Sequence, residues 1–170
     1  MKLMKSRSSR SKRTANSVTD YQSKKSRISK VNNIADFSVP HQSFQEQVVA
    51  LVNEERQKSD IAPLMINLKL SKVANLKAAD MRDHNYFSHY SPQYGTPFEM
   101  LKSFGGSYQY AAENIAAGYI TPQEAFEGWK NSPSHYASML NANYKYTGIG
   151  YVLGLESSRY RTYWVQLFKG

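Results

Sequence analysis

From residue 44 onward, the spacing of apolar positions identifies the elements of this chain. Phe44, Val48, Leu51 and Val52 recur at helical spacing and make one stripe, which predicts an amphipathic helix. Asn67 to Leu70 lead into a second helix, with Ser71 as its candidate cap. Its buried face is Leu70, Val73, Ala74, Ala78 and Met81, and the pattern runs out near His84 and Asn85. Residues 85–97 read as a loop broken by Ser91-Pro92 and Gly95, followed by a short helical turn through Phe98, Leu101 and Lys102 that stops at Gly105-Gly106. Thr121-Pro122-Gln123-Glu124 is a strong helix start: Thr as N-cap, Pro at the first helical position, Glu returning to the cap. Ala125, Phe126 and Trp129 form that helix's core face. Ser132-Pro133 repeats the cap-then-Pro signal, so a further helix should carry His135, Met139 and Leu140.

The period changes in the last third. Residues 145–152 and 160–168 are aromatic and β-branched runs flanking a turn from Gly154 to Arg159, the signature of a hairpin. In the second run Tyr163, Val165 and Leu167 alternate with Trp164 and Phe168, so both faces of the strand are apolar. A sheet with two apolar faces must be covered on both sides. The expected class is therefore α+β: a three-layer α-β-α sandwich with a mostly antiparallel central sheet. No internal repeat is evident.

Residues 1–40 break with this picture. They are rich in Ser, Lys, Arg and Asn, hold ten basic residues against Asp20 and Asp36, and carry a net charge of +8. Residues 41–170 hold twelve basic and eleven acidic residues, so +1. The basicity belongs to a tail that cannot bury enough surface to offset its ordering entropy and is expected to be disordered. A folded domain over 41–170 is expected beside it. The tail reads either as a solubilising leader or as a contact for a polyanion such as nucleic acid, anionic lipid or wall polymer. No nucleic-acid partner is expected for the domain itself. The chain has no cysteine, which rules out disulfides and Cys-ligated zinc without deciding the compartment. No apolar run is long enough to span a membrane. Met1-Lys2-Leu3-Met4-Lys5 resembles the start of a signal peptide, but no apolar stretch follows it.

The candidate chemistry lies in four polar residues: His89 in Tyr86-Phe87-Ser88-His89, Glu99 in Pro97-Phe98-Glu99-Met100, Glu113 in Glu113-Asn114-Ile115-Ala116, and His135 after Trp129-Lys130-Asn131-Ser132-Pro133-Ser134. Two imidazoles and two carboxylates are enough to hold a divalent metal or to relay protons. Each also has a plain structural reading. His89 could be a solvated loop histidine, Glu113 a strand-end surface carboxylate, and Glu99 a favourable charge at a helix start. His135 falls at the third position of its helix, where the positive helix end disfavours imidazolium and keeps the ring neutral. His41 and His84 have no comparable context and read as structural or surface. There is no Gly-x-Ser-x-Gly elbow, His-Glu-x-x-His pair, phosphate-binding glycine loop or EF-hand loop.

Taken in order, these segments resemble the CAP superfamily (cysteine-rich secretory, antigen 5 and pathogenesis-related 1, SCP-like), and within it the cysteine-free bacterial branch. The resemblance covers residues from about 44 to 169. It is carried by Val52-Asn53-Glu54-Glu55-Arg56, Tyr86 to Pro92, Glu113 to Ala116, Trp129 to His135, Met139-Leu140-Asn141, Gly148-Ile149-Gly150 and Tyr163 to Phe168. It implies the same α-β-α sandwich and a central cleft with a two-His, two-acid tetrad, which by motif falls on His89, Glu99, Glu113 and His135. Some members bind a divalent metal, often zinc, through the two histidines, so His89 and His135 would be the ligands and the glutamates would orient water or complete the shell. Three positions depart from the pattern: Ala112 and Ser134 replace glycines, and Ser138 replaces an asparagine. The family shares a fold and cleft but no single reaction. The resemblance therefore implies a secreted or surface-associated monomeric binding module for a lipid, peptide or glycan. A metal- or Glu/His-dependent hydrolase of peptidase type is the alternative, and whether there is turnover stays open. The family is mostly extracellular, while the missing signal peptide leaves an intracellular location open.

Overall fold

The computed structural model describes residues 43–170. His41 and the expected tail over residues 1–40 lie outside them. Helix α1 (Phe44–Lys58) opens with a capping box: Ser43 Oγ accepts the Glu46 N–H, and the Glu46 carboxylate returns to the Ser43 N–H. A two-residue strand β1 (Met65–Ile66) precedes α2 (Leu68–Asp83). The side chain of Asn67, not Ser71, caps α2, accepting from the N–H groups of Lys69 and Leu70. Ser71 already lies inside the helix, where its hydroxyl bonds back to the Asn67 carbonyl.

The short α3 (Pro97–Met100) continues as one wider π turn over Leu101–Gly105. Strand β2 (Ala111–Ala117) follows, then α4 (Pro122–Lys130) with the expected Thr121 capping box, and α5 (Pro133–Met139). Ser132 sits at the N-cap of α5, but its side chain makes no capping bond. The hairpin strands are β3 (Tyr146–Leu153) and β4 (Thr162–Lys169).

The strand order is β1-β3-β4-β2. The β3–β4 and β4–β2 pairs are antiparallel, and β1 joins β3 in parallel through two residues, so the sheet is mixed. The alternation in β4 does what the sequence requires. Trp164 and Phe168 pack with Val48, Val52, Phe126, Trp129 and Met139 from α1, α4 and α5. Tyr163, Val165 and Leu167 pack with Leu70, Val73, Ala74, Ala78 and Met81 of α2 on the other face. The three layers are in place.

Two motifs act as structural clamps. Gly148 and Gly150 lie against the α2 backbone. A Cβ at Gly150 would come 2.2 Å from the Ala74 carbonyl carbon, and one at Gly148 would come 2.3 Å from the Ser71 nitrogen. Ile149 between them joins the core on the opposite face. In the Val52-Asn53-Glu54-Glu55-Arg56 segment, Asn53 bonds both the N–H and the C=O of Leu64. Glu55 reaches Lys130 of α4 and Tyr136 of α5. Arg56 is fully buried and donates to the carbonyls of Ala62, Met139, Asn141 and Tyr144 at 2.8–3.2 Å.

Arg56→Met should cost about 3 kcal/mol or more, because it strands several buried carbonyls. Arg56→Lys should recover only part of that, since an ammonium cannot reproduce the planar fork. Urea unfolding of the three proteins checks this. Gly150→Ala should lower stability by about 1–3 kcal/mol through backbone overpacking, read by the same measurement.

Candidate functional site

The site is organised by β2, which lies at the edge of the sheet. Successive residues of a strand point to opposite faces. Glu113 and Ile115 therefore look toward α2, whereas Asn114 and Ala116 look toward α4 and α5. With no strand beyond β2, groups from the two helical layers can approach each other around this edge. Residues 84–96 bring His89 to it from one side, and the start of α5 brings His135 from the other.

Glu113 is not a surface carboxylate. It sits mid-strand, opposite Leu167, with its side chain only 2% exposed. His89 Nδ1 lies 2.8 Å from Glu113 Oε1, and the His89 ring is half-exposed. Donation from Nδ1–H to the carboxylate leaves the lone pair of the neutral ring on Nε2. Glu113 Oε2 is buried without a hydrogen-bond partner. Burial pushes the Glu113 carboxyl up, while the bond from His89 and the nearby Lys77 charge pull it down in part.

His135 is held through its backbone. Asn114, fully buried beside Glu113 in β2, donates from Nδ2 to the His135 carbonyl at 3.1 Å. The ring Nδ1 is buried without a hydrogen-bond partner. Burial holds the His135 imidazole below its usual value, and proximity to His89 lowers it further. The ring is therefore neutral near pH 7 and carries an available lone pair. It also borders a groove of about 280 Å³ lined by Phe87, Tyr119, Gly128, Ser132, Tyr160 and residues 115–117 of β2.

Lys77 is the residue that holds the His89 loop. It is fully buried, donates to the His89 carbonyl at 3.0 Å and to Tyr86 Oη at 3.1 Å, and lies over the Tyr86 ring. Tyr86 Oη in turn donates to Asp80 Oδ2, which also accepts from Ser91 Oγ at 2.7 Å. His84 Nδ1 lies 2.9 Å from Asp80 Oδ1, and Asn85 Oδ1 accepts the Arg159 N–H at 2.8 Å. The loop is thus tied to α2 through His84, Tyr86, His89 and Ser91, and to the hairpin turn through Asn85. The sequence does contain a signal for Lys77: in α2 it lies four residues from Val73 and Met81 and three from Ala74, on the apolar stripe itself. A lysine there must be buried and partnered.

Glu99 has a different role from the other three. It caps its own helix: Oε2 accepts from the Thr96 N–H at 2.7 Å and the Thr96 hydroxyl at 2.8 Å, at an exposed position. Those bonds hold its carboxyl below the usual range. It makes no hydrogen bond to His89, Glu113 or His135. Among the described residues no three His, Asp or Glu side chains gather around one point as a metal group. The donor set that could meet a cation is the Nε2 lone pair of His89 with the unpartnered Glu113 Oε2 and His135 Nδ1.

The lowered His135 value has a definite sign. The unfolded chain takes up a proton near pH 6.5 before the folded one does, so stability falls as the pH drops below that point toward the folded value. By NMR, His135 should titrate with a midpoint below 6.5, and His89→Ala should move that midpoint part of the way back up. A midpoint at or above 6.5 in the native protein would contradict the burial described above.

Known proteins share this architecture. The cysteine-rich secretory protein family (CAP) matches residues 49–168. The Bacillus subtilis (strain 168) protein YkwD is 48% identical over 128 residues, which is 75% of this chain and 48% of that protein. The membrane protein YlbC of the same organism is 37% identical over 106 residues, 62% of this chain and 31% of that protein. This chain therefore spans about half or less of the length of these relatives. Among solved structures, an extracellular SCP-domain protein of Bacillus anthracis str. Ames superposes with a TM-score of 0.66 at 31% identity, over 74% of this chain and 40% of that one. An outer surface protein of Borrelia burgdorferi superposes with a TM-score of 0.67 over 77% of this chain and 95% of that one, and at 23% identity speaks for the fold alone. With the matched stretch running through nearly all the described residues, this cysteine-free chain belongs to the CAP family of cysteine-rich secretory proteins.

Proposed function

We propose that the chain is an extracellular or surface-associated binding module whose cleft takes a divalent cation of the zinc class between His89 and His135, with Glu113 behind them. One observation carries the reading. Glu113 Oε2 and His135 Nδ1 are both buried without a hydrogen-bond partner, on either side of the edge strand that also holds His89. Buried lone pairs without donors are costly and call for a ligand that supplies positive charge or protons. His89 adds a feature common at metal sites: its Nδ1 is fixed by a carboxylate, which sets the tautomer and raises the basicity of Nε2. A bound cation would supply Lewis acidity, and a two-histidine set would leave positions open for water or a ligand. The extracellular setting is supported by the description of the Bacillus anthracis relative. No helix among the described residues is long and apolar enough to cross a membrane.

A hydrolase is the second reading, favoured by one feature. Burial raises the Glu113 carboxyl toward the range useful for a general base, and His89 orients it. The site offers no activated side-chain nucleophile, so water would be the attacking group.

Calorimetric titration of the metal-free protein with zinc separates these readings. Wild type should bind, His89→Ala and His135→Ala should each lose binding, and Glu113→Gln should weaken it about 10–100-fold. Circular dichroism confirms that the variants fold. Binding that survives both histidine substitutions would overturn the metal reading. Turnover on peptide or ester panels that Glu113→Gln abolishes while zinc still binds would establish the hydrolase.

A further inference from the structure

We propose that Asp80 is the positioning residue for the His89 side of the cleft: from inside α2 it holds both flanks of an otherwise exposed segment, so that His89 keeps its proton on Nδ1 toward Glu113 and turns its Nε2 lone pair outward. This rests on the reading of the face as a binding cleft and deepens it, since it says what fixes one of the two imidazoles.

Packing alone does not place His89. Phe87 rests edge-on against the Tyr160 ring, but Ser88, His89 and Tyr90 are exposed. An exposed segment of this kind samples many backbone and rotamer states unless bonds at its ends remove them. Both ends here go to one carboxylate. Asp80 Oδ2 accepts from Tyr86 Oη, three residues before His89, and from the fully buried Ser91 Oγ at 2.7 Å, two residues after it. Ser91 passes the constraint on. Its Oγ accepts the N–H groups of Gln93 and Tyr94 at 3.1 and 2.9 Å, and its own N–H and C=O both bond Gly95. Lys77, one turn earlier on α2, ties the middle by donating to the His89 carbonyl, with a second bond to Tyr86 Oη.

The placement of Asp80 argues against a merely local role. A carboxylate near the C-terminal end of a helix opposes the helix dipole. Its side chain is also only 1% exposed, where a charge is costly unless it is well bonded. The contact with His84 does not account for it. His84 Nδ1 lies 2.9 Å from Asp80 Oδ1, but the His84 ring is half-exposed, and a solvated pair of that kind contributes little. What the carboxylate supplies is two charge-assisted bonds of fixed direction, one on each side of a single imidazole. It also answers a charge. The Lys77 ammonium lies within electrostatic reach of both Asp80 and Glu113. The Asp80 charge offsets that ammonium, so Glu113 is left for His89 and for whatever the cleft takes up.

The test reads the His89 ring nitrogens by long-range proton–nitrogen correlation NMR. It uses the metal-free full chain at a pH of about 9, above the usual imidazole range. Wild type should show a protonated Nδ1 and a bare Nε2. A free neutral imidazole prefers the opposite tautomer, so a loosened segment drifts toward Nε2–H. Asp80→Ala and Ser91→Ala should each move the His89 nitrogen shifts in that direction. Ser91→Ala removes no charge, and it keeps the test open if Asp80→Ala does not fold. Asn53→Ala, which breaks the bonds to Leu64 on the opposite face of the sheet, should lower stability and leave both shifts in place. Three results overturn the assignment: a wild-type proton on Nε2, shifts unmoved in Ser91→Ala, or an equal movement in Asn53→Ala. Because zinc is absent, failure here is distinct from failure of the metal reading. A tautomer that follows Asp80 and Ser91 without a zinc isotherm leaves the positioning role standing, and a zinc isotherm with an unmoved tautomer removes it.

Discussion

The buried guanidinium of Arg56 is the interaction on which the arrangement of layers depends. Among the described residues it has no carboxylate partner. It is satisfied by backbone carbonyls from three places: Ala62 after α1, Met139 and Asn141 at the end of α5, and Tyr144 before β3. The last carbonyls of a helix carry partial negative charge, so a cation placed there meets both the hydrogen-bonding and the dipole requirement of that end. Glu55, one residue earlier, grips Lys130 and Tyr136. Together they fix α5 against α1, and α5 carries His135. A segment far from the cleft thus decides where one of its two imidazoles stands.

The cleft follows from a second constraint, the alternation of an edge strand. Glu113 and Asn114 are neighbours in sequence but serve opposite layers, one meeting His89 and the other the backbone of His135. An internal strand could not do this, because the next strand would separate the layers. The exposed edge is a liability that must be covered, and Trp129 covers it at Ile115 through its indole N–H. The same strand is therefore protected against pairing at one residue and open to chemistry two residues earlier.

The fold was legible wherever a local rule and the global packing agreed. The α1 stripe, the Thr121 capping box and the two-faced apolar pattern of β4 needed no tertiary information. Strand β1 did not show, since two residues carry no period. Strand β2 showed only as a strand end at Glu113, because Ala111-Ala112-Glu113-Asn114 lacks the β-branched and aromatic residues that mark strands, and its register comes from β4. The choice of Asn67 over Ser71 as the α2 cap was a competition between two adequate residues, decided by where the chain leaves β1. At the site, His89, Glu113 and His135 were readable as residue types in motifs, while their relative placement was not. Asn114 and Lys77 act at long range in sequence, and only the position of Lys77 on an apolar stripe hinted at its role. Glu99 shows the opposite case: Thr96-Pro97-Phe98-Glu99 is a complete capping box, so a purely local rule accounts for it.

That contrast separates two kinds of carboxylate in this protein. Glu46, Glu99 and Glu124 sit at helix starts, exposed, each held below its usual value by bonds to a cap. They gain stability from ionisation, and Oε2 of each is committed to its cap. Glu113 is buried, is pushed in the opposite direction, and keeps one oxygen without a hydrogen bond. Its neighbour across the edge, His135, is likewise buried and disfavours its own charge. Both groups are placed where folding alone does not satisfy them, although the chain has ample means to solvate or cap such side chains elsewhere. Local departures from consistency of this kind tend to occur at functional sites. Here they converge on the β2 edge of the sheet.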